Sequence, residues 1–185
     1  MTSAKKNMVF DRTKEERIAL FTGYMPRPYN TGVLQQLEKD GFFTAPAAAS
    51  HHGNYEGGLF DHSFAVTRQL VDYTQSLRLH WERKESPYIV GMLHDYCKTK
   101  LYTKQEDGTF THTENVILPG HGSASVALIQ QFLELTFEEL MCIRWHMGAF
   151  EGEKYWKGYS AACCAYPNVL YTHTADMYAS QCMGV

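Results

Sequence analysis

Apolar residues recur at helical spacing along most of the chain, and this pattern predicts a mainly α-helical protein. The longest such stretch runs from about Leu59 to His80, with apolar side chains at positions 59, 66, 70, 73 and 77 and His62 inside the same stripe. Shorter helices are predicted at residues 12–21, 31–40, 86–97, 121–133, 136–146, 160–165 and 168–181. A Gly- and aromatic-rich loop is predicted at 148–158.

Local signals define the ends of several predicted elements. Thr136 and Glu139 have the spacing of a capping box, and Ser86-Pro87 is a cap followed by proline at the first helical position. Residues 100–114 instead alternate around Asp107-Gly108, which predicts a β-hairpin. We therefore predict an all-α helical bundle with a small β-hairpin insertion. Residues 1–44 are expected to form an N-terminal arm and short helices that pack on the core, and residues 45–185 the main part of a single structural domain.

Composition narrows the class of protein. The 185 residues are 44% hydrophobic with a net charge of −3, as in ordinary globular domains. The sequence has no block of Lys and Arg, so we expect no long nucleic acid partner. It also has no apolar run of the roughly 18 residues that span a bilayer, and residues 1–10 lack the apolar core of a signal peptide, so we expect neither a membrane span nor a signal peptide. Five cysteines without a C-x-x-C pair argue against a zinc ribbon and suit a reducing compartment, so the expected location is cytoplasmic.

The candidate chemistry lies in a series of histidines and aspartates on separate predicted helices. The chain has nine histidines, and the series is formed by His62, the pair His94-Asp95, His121, His146 and Asp176. Successive members are 32, 26, 25 and 30 residues apart, about the length of one helix hairpin, so each helix could bring one group to a shared centre. Buried imidazoles and carboxylates require a compensating cation, and this set offers mixed nitrogen and oxygen ligands for one or two divalent metal ions. Mn, Fe, Mg, Ni and Zn all suit such ligands.

The order of these residues resembles the H…HD…D signature of the HD-domain metal-dependent phosphohydrolases. Residues 91–98, GMLHDYCK, stand where that family commonly has LLHDIGK, and His121 and His146 match the additional histidines of its two-metal members. Residues 51–63 are similar to the HH-x-x-x-GGL-x-x-H segment of the HD-domain 3′ to 5′ exoribonucleases. Cys97 departs from the family's glycine. The sequence shows neither the OB-type domain of those exoribonucleases nor the GYP segment of the cyclic-di-GMP phosphodiesterases. We therefore expect neither RNA nor cyclic-di-GMP as the substrate.

The resemblance implies a helical HD-domain fold and a role for each ligand. His62, His94, Asp95 and Asp176 would hold a first metal, and Asp95 would bridge to a second held by His121 and His146. Such a pair of ions activates a bridging hydroxide for attack on a phosphate monoester or diester, and the expected substrate is a nucleotide or another small phosphorylated compound. Lys98 would neutralise charge in the transition state, which makes Asp95 and Lys98 the expected catalytic residues. Further candidate contacts to the substrate are Arg144, His52 and Trp156.

Two other functions remain open from the sequence. A mixed-valent di-iron oxygenase uses the same ligands, and oxygen uptake by the iron-loaded protein would identify it. A non-catalytic module that binds a nucleotide is the other alternative. His173 is expected either to orient Asp176 or to belong to the core. The sequence does not determine the oligomeric state.

Overall fold

A computed structural model of the protein describes residues 10–50, 53–113, 117 and 120–185. The helices are α1 Lys14–Tyr24, α2 Tyr29–Gly32, α3 Leu34–Lys39, α4 Gly58–Ser76, α5 Ser86–Leu93, α6 His121–Ile129, α7 Phe137–Trp145, α8 Trp156–Ala165 and α9 Asn168–Met177. Strands β1 Tyr102–Lys104 and β2 Phe110–His112 form the hairpin. Short 3₁₀ turns cover Tyr96–Lys100, Gly148–Phe150 and Glu153–Tyr155, and a π-helical turn, Tyr178–Met183, follows α9. The predicted all-α fold with a small β insertion is confirmed.

Capping residues define where two of the helices begin. At α7 the Glu139 backbone N–H donates to Thr136 Oγ1 at 3.2 Å, and the Thr136 N–H donates to Glu139 Oε2 at 2.9 Å. This is the capping box predicted from the sequence. Thr13 and Glu16 form the same reciprocal pair at α1. Each box satisfies backbone N–H groups that have no partner inside the helix.

The hairpin has the predicted turn. Its strands are antiparallel, and Tyr102 lies opposite His112. Gly108 has a φ of +84°, and the Thr109 N–H donates to Asp107 Oδ1 at 2.9 Å. The left-handed backbone explains why glycine follows aspartate in this turn.

The core forms where α4 packs against α5. An added Cβ at Gly91 would lie 2.5 Å from the Thr67 Cα, so the two backbones approach more closely than any side chain on this face would allow. The same core includes aromatic and aliphatic side chains from the N-terminal helices and the segment after them: Phe21, Met25, Leu37, Phe42 and Phe43. These side chains contact the bundle. The predicted boundary between the N-terminal arm and the main part of the domain, at residues 44 and 45, stays a prediction.

Several predicted helix ends were wrong. α4 ends at Ser76 rather than His80, because Arg78 has a φ of +54° and the Trp81 indole folds back to donate to Thr74 Oγ1. Leu77, predicted to face the core, is 53% exposed.

The helix predicted to reach residue 97 ends at Leu93. The Asp95 backbone, with φ −104° and ψ 19°, leaves the helical range and begins the 3₁₀ turn.

Three other boundaries moved. The predicted helix at 31–40 is divided into α2 and α3 around Val33. α6 ends at Ile129 instead of 133, because Phe132 turns to pack against Tyr96. α8 begins at Trp156, inside the segment predicted as a loop. Among the described residues, no helix combines the length and the apolar character needed to cross a membrane.

Candidate metal centre

Five helices bring the predicted histidines and aspartates to one place. His62 lies on the first turns of α4, and His121 is the first residue of α6. His94 and His146 are the capping residues at the C-terminal ends of α5 and α7. Asp176 lies near the end of α9. His62, His94, Asp95 and His146 are almost completely inaccessible to solvent.

One group of side chains surrounds His62. Its Nε2 lies 3.2 Å from His94 Nε2 and 3.2 Å from Asp176 Oδ1. One ligand atom from each of the three residues lies within 4.8 Å of the other two, a spacing that can accommodate a metal ion. These are three of the four residues that the resemblance implies for the first metal.

Asp95 connects this group to a second one. Its Oδ2 lies 3.4 Å from His94 Nε2 and 3.6 Å from His62 Nε2, whereas its Oδ1 lies 3.3 Å from His146 Nε2. Asp95 also forms a group with Cys97 and His121. The two oxygens of Asp95 therefore face different sets of side chains, as a bridging carboxylate requires.

Backbone carbonyls orient three of the imidazoles. His94 Nδ1 lies 2.9 Å from the Gly91 oxygen, His146 Nδ1 lies 2.8 Å from the Ile143 oxygen, and His62 Nδ1 lies 2.9 Å from the Val185 oxygen. A carbonyl oxygen only accepts, so each Nδ1 carries the hydrogen and donates it. In the neutral rings each Nε2 then directs a lone pair into the cluster, which is the arrangement of metal-binding histidines.

The chemistry of this donor set fits a cation. Asp95 Oδ1 and His146 Nε2 are both buried, and neither makes a hydrogen bond with the described residues. The Nε2 lone pairs of His62 and His94 face each other at 3.2 Å. Buried lone pairs and carboxylates repel one another unless a positive charge lies between them. A divalent ion coordinated by these atoms would supply that charge.

Lys98 supplies a fixed positive charge at the edge of the cluster. Its Nζ lies 2.7 Å from Asp95 Oδ2. Burial opposes ionisation of Asp95, but Lys98 and then His94 hold its pKa well below the ordinary value. Burial likewise opposes the charge on Lys98, and Asp95 nevertheless raises the pKa of that amine. Asp95 is therefore an anion and Lys98 a cation at neutral pH.

The cluster opens into a cavity of about 200 Å³. Four of its lining residues belong to the predicted site: His62, Asp95, Lys98 and Asp176. The others are Met147, Phe150, His173, Met177, Ser180 and Gln181. Phe150 is 64% exposed and lies at the rim. The cavity gives a small molecule access to the edge of the cluster.

Two predicted substrate contacts lie away from this cavity. Arg144 donates to Glu151 Oε1 at 2.7 Å, and its guanidinium lies 4.2 Å from the centre of the Trp145 ring. Trp156 is half exposed, and its indole N–H donates to the Glu151 carbonyl oxygen. Neither side chain is among those that line the cavity in the described parts of the chain. His52, with His51, lies outside the described residues.

Sequence reasoning missed part of the cavity wall. Ser180 and Gln181 reach it because the π-helical turn follows Asp176, and Met147 reaches it because the chain turns directly after His146. No pattern in the sequence distinguishes these positions from ordinary helix residues. His173 is predicted either to orient Asp176 or to belong to the core. Its Nδ1 contacts the His146 carbonyl oxygen at 2.8 Å rather than Asp176.

Cys97 has a defined place in the second group. Its sulfur lies 3.6 Å from His121 Nδ1, and burial followed by the nearby Asp95 charge raises the pKa of the thiol to about 12. The residue is therefore a neutral thiol in the metal-free protein. The sequence marked Cys97 only as a departure from the family's glycine, with no indication of its contact with His121.

A buried ionic cluster supports α4 beside the site. Asp61, the residue before His62, accepts from Arg17 Nη2 at 2.9 Å and from Arg12 Nη1 at 2.8 Å. A Cβ at Gly57 would lie 2.2 Å from the Arg17 guanidinium carbon. Glycine at position 57 therefore lets Arg17 cross the backbone to reach Asp61, which gives the Gly57-Gly58 motif a structural role next to the first ligand.

Comparisons with known proteins add one partial similarity. A segment of 71 residues is 37% identical to the dihydroneopterin 2′,3′-cyclic phosphate phosphodiesterase of Methanocaldococcus jannaschii. The segment covers 37% of this chain and 28% of that enzyme, so the chain matches less than a third of the relative's length. No protein-family model matches the chain, and no solved structure matches it. The similarity supports a phosphodiester hydrolase in general.

Proposed function

We propose that this protein is an HD-type, metal-dependent phosphodiesterase that acts on a small phosphorylated substrate such as a nucleotide. The observation that carries the proposal is the convergence of six side chains of ligand type, with Asp95 at their centre. The Nε2 atoms of His62, His94 and His146 and the carboxylate oxygens are directed at one another. The partial similarity to a cyclic phosphate phosphodiesterase supports the same chemistry.

Each ligand has a defined part in the proposed centre. His62, His94 and Asp176 would hold one ion, His121 and His146 would hold a second, and Asp95 would contact both. Divalent ions at such a site polarise the phosphoryl oxygens and lower the pKa of a water molecule. The surrounding carbonyls keep the imidazoles in the tautomer that coordination requires.

Lys98 and the cavity complete the proposed site. The Lys98 amine lies at the junction of the cluster and the cavity, where a phosphate oxygen would arrive. Because Asp95 keeps the Lys98 amine charged, this amine can stabilise the negative charge that grows on the phosphate during attack. The cavity of about 200 Å³ holds a phosphate and a short attached group, and the rim beside Phe150 leaves space for a larger one.

The test is a metal-dependent hydrolysis assay with protein free of a histidine tag. We expect Mn²⁺-loaded protein to hydrolyse bis(p-nitrophenyl) phosphate and a 2′,3′-cyclic nucleotide, with about two ions bound per chain by elemental analysis. Asp95→Asn should abolish activity and reduce bound metal, whereas Asp72→Asn, an exposed aspartate on α4, should retain both.

Two results would contradict the proposal. One is metal-loaded protein that hydrolyses none of a broad panel of phosphoesters. The other is iron-loaded protein that consumes oxygen and shows a mixed-valent spectroscopic signal, which would assign the same ligands to an oxygenase.

A further inference from the structure

His173 is held in place from several sides. Its Nδ1 lies 2.8 Å from the carbonyl oxygen of His146. The Tyr159 ring packs against it edge to face, with centroids 5.9 Å apart. An added Cβ at Gly148 would lie 2.5 Å from the imidazole Cγ, and Gly148 also has a φ of +52°. The backbone at this position therefore depends on glycine both for its conformation and for space beside the ring.

The hydrogen bond to His146 determines the tautomer of His173. The carbonyl oxygen can only accept, so Nδ1 carries the hydrogen and, in the neutral ring, Nε2 is an acceptor. None of the described residues makes a hydrogen bond to this Nε2. His173 is half-buried, so a firmly oriented imidazole here leaves its acceptor open to a ligand.

The surroundings of the ring indicate what this acceptor could bind. His173 lines the cavity beside the metal cluster, together with the apolar side chains of Met147, Phe150 and Met177. Lys98, the cavity's cationic donor, is engaged by Asp95 at 2.7 Å. The polar side chains of Ser180 and Gln181 also line the cavity, but neither donates to Nε2, so this acceptor is available to water or to another molecule that enters the cavity.

We propose that His173 accepts a hydrogen bond from a hydroxyl group of the substrate, a few bonds from the phosphate at the metal cluster. The preferred substrates would then be phosphate esters of sugars or polyols, and simple alkyl or aryl esters would bind less well. This inference rests on the proposed function only in placing phosphate at the metal cluster. It concerns the alcohol part of the ester.

Equilibrium binding of two matched probes tests the proposal without turnover. Glycerol 3-phosphate and n-propyl phosphate have the same carbon chain and differ in their hydroxyl groups. By calorimetry on Mn²⁺-loaded protein, we expect glycerol 3-phosphate to bind about fivefold more tightly, the effect of one hydrogen bond. His173→Phe should remove this preference and change binding of n-propyl phosphate by less than about twofold.

Two further variants separate recognition from support of the fold. His173→Gln retains an acceptor on a flexible chain and should restore part of the preference. His80→Phe makes the same change at an exposed histidine that does not line this cavity, and it should behave like the unmodified protein. Metal content of each variant shows whether the centre is intact.

The outcomes distinguish this inference from the proposed function. Equal binding of both probes by the unmodified protein would overturn the role of His173 and leave the phosphate site in place. If His173→Phe weakened the binding of both probes equally, the inference would be overturned and the role of His173 would be structural. A preference that depends on His173, in a protein that hydrolyses no phosphodiester, would support the inference and contradict the proposed function. Binding of neither probe would contradict both.

Discussion

At the scale of single residues, Asp95 determines the electrostatics of the candidate site. Its Oδ1 faces His146, whereas its Oδ2 faces His62 and His94 and also contacts Lys98. A single carboxylate thus links both groups of ligands to the cationic edge of the cavity. Substitutions at Asp95 and Lys98 are expected to differ in their effect on metal binding, because only Asp95 would bind metal.

Replacement of Lys98 should affect catalysis more than metal binding. We expect Lys98→Met to lower kcat about 100-fold, because a fixed charge near the developing phosphate charge is lost. Bound metal should stay within experimental error of the unmodified protein. Steady-state kinetics and elemental analysis measure the two effects.

Lys100 provides the control for this change. It lies two residues further along the same 3₁₀ turn, is half exposed and pairs with Asp40 rather than with the cluster. Lys100→Met should leave kcat nearly unchanged. If both variants lost activity equally, the effect would come from the turn and not from the Lys98 charge.

The sequence predicted which imidazoles and carboxylates come together, because each lies on the inward face of a separate helix; their role as metal ligands stays a prediction. It did not indicate the cavity wall. His173, Ser180 and Gln181 depend on where α9 changes into a wider turn and on the space beside Gly148, and neither has a local signature. Arg144 and Trp156 have suitable chemistry, but the structure joins both to Glu151.

At the scale of elements, α1 is attached to α4 through buried charges. Arg17 is 3% exposed and donates from both Nε and Nη2 to Asp61. Arg17→Met should reduce the free energy of unfolding by about 3 kcal/mol, because it leaves a buried carboxylate short of partners. Urea denaturation measures this change.

An exposed ion pair between α1 and α3 provides the comparison. Lys14 lies 3.6 Å from Glu38 with both side chains well exposed, and Lys14→Met should cost less than about 0.5 kcal/mol. A similar cost for Lys14→Met and Arg17→Met would show that the buried cluster contributes nothing specific.

Asp40 connects the end of α3 with the 3₁₀ turn that follows the His94-Asp95 pair. It accepts from the Tyr96 hydroxyl and from Lys100 Nζ. Burial opposes its ionisation, but hydrogen bonds, first from Lys100 and then from Tyr96, lower its pKa below the ordinary 3.8. A lowered pKa in the folded state adds stability above pH 3.8, and this is lost as the pH falls through the folded-state value.

The stability difference between the unmodified protein and Asp40→Asn should therefore shrink as the pH falls from about 6 to about 3. Urea denaturation at several pH values measures it. A difference that stays constant with pH would mean that Asp40 acts through packing or neutral hydrogen bonds alone.

Helix starts were more predictable than helix ends. The capping box at Thr136 acts within one turn and is visible in the sequence. The ends of α4 and α5 depend on tertiary contacts: the Trp81 indole returns to Thr74, and the Asp95 side chain is drawn towards Lys98 and His146. Such contacts form only in the folded structure, so the periodicity of the sequence alone predicted helices that continued too far.

At the scale of the whole molecule, the proposed ions would join α4 and α9 with the ends of α5, α6 and α7. Ligands that bind only the folded state stabilise it by mass action, by about 2.7 kcal/mol at 100 times Kd. For a chain of this size we expect Mn²⁺ to raise Tm by about 5–10 °C and a chelator to reverse the shift.

Asp176→Asn should reduce this metal-dependent shift, whereas the exposed Asp72→Asn should retain all of it. Differential scanning calorimetry with and without metal provides the measurement. A Tm that does not respond to any divalent ion would contradict metal binding at this centre.

The overall fold class was accessible from the sequence because amphipathic stripes and one turn signal dominate the chain. The N-terminal helices were expected to pack on the core, and Phe21 and Leu37 lie in the same buried cluster as Phe60 of α4. Their apolar content indicated packing, but nothing in the pattern specified a partner helix. Long-range docking of this kind follows from shape and volume, which periodicity does not encode.

The close contact at Gly91 also holds two imidazoles of the candidate site together. His62 and His94 come from the two helices that meet there, and the absence of a side chain at position 91 lets their Nε2 atoms lie 3.2 Å apart. A methyl group at this position would force α4 and α5 apart, and the two nitrogens would separate with them. The carbonyl oxygen of the same residue orients the His94 ring. Gly91 thus acts on the candidate site through its backbone alone, by setting the distance between two helices and the direction of one imidazole.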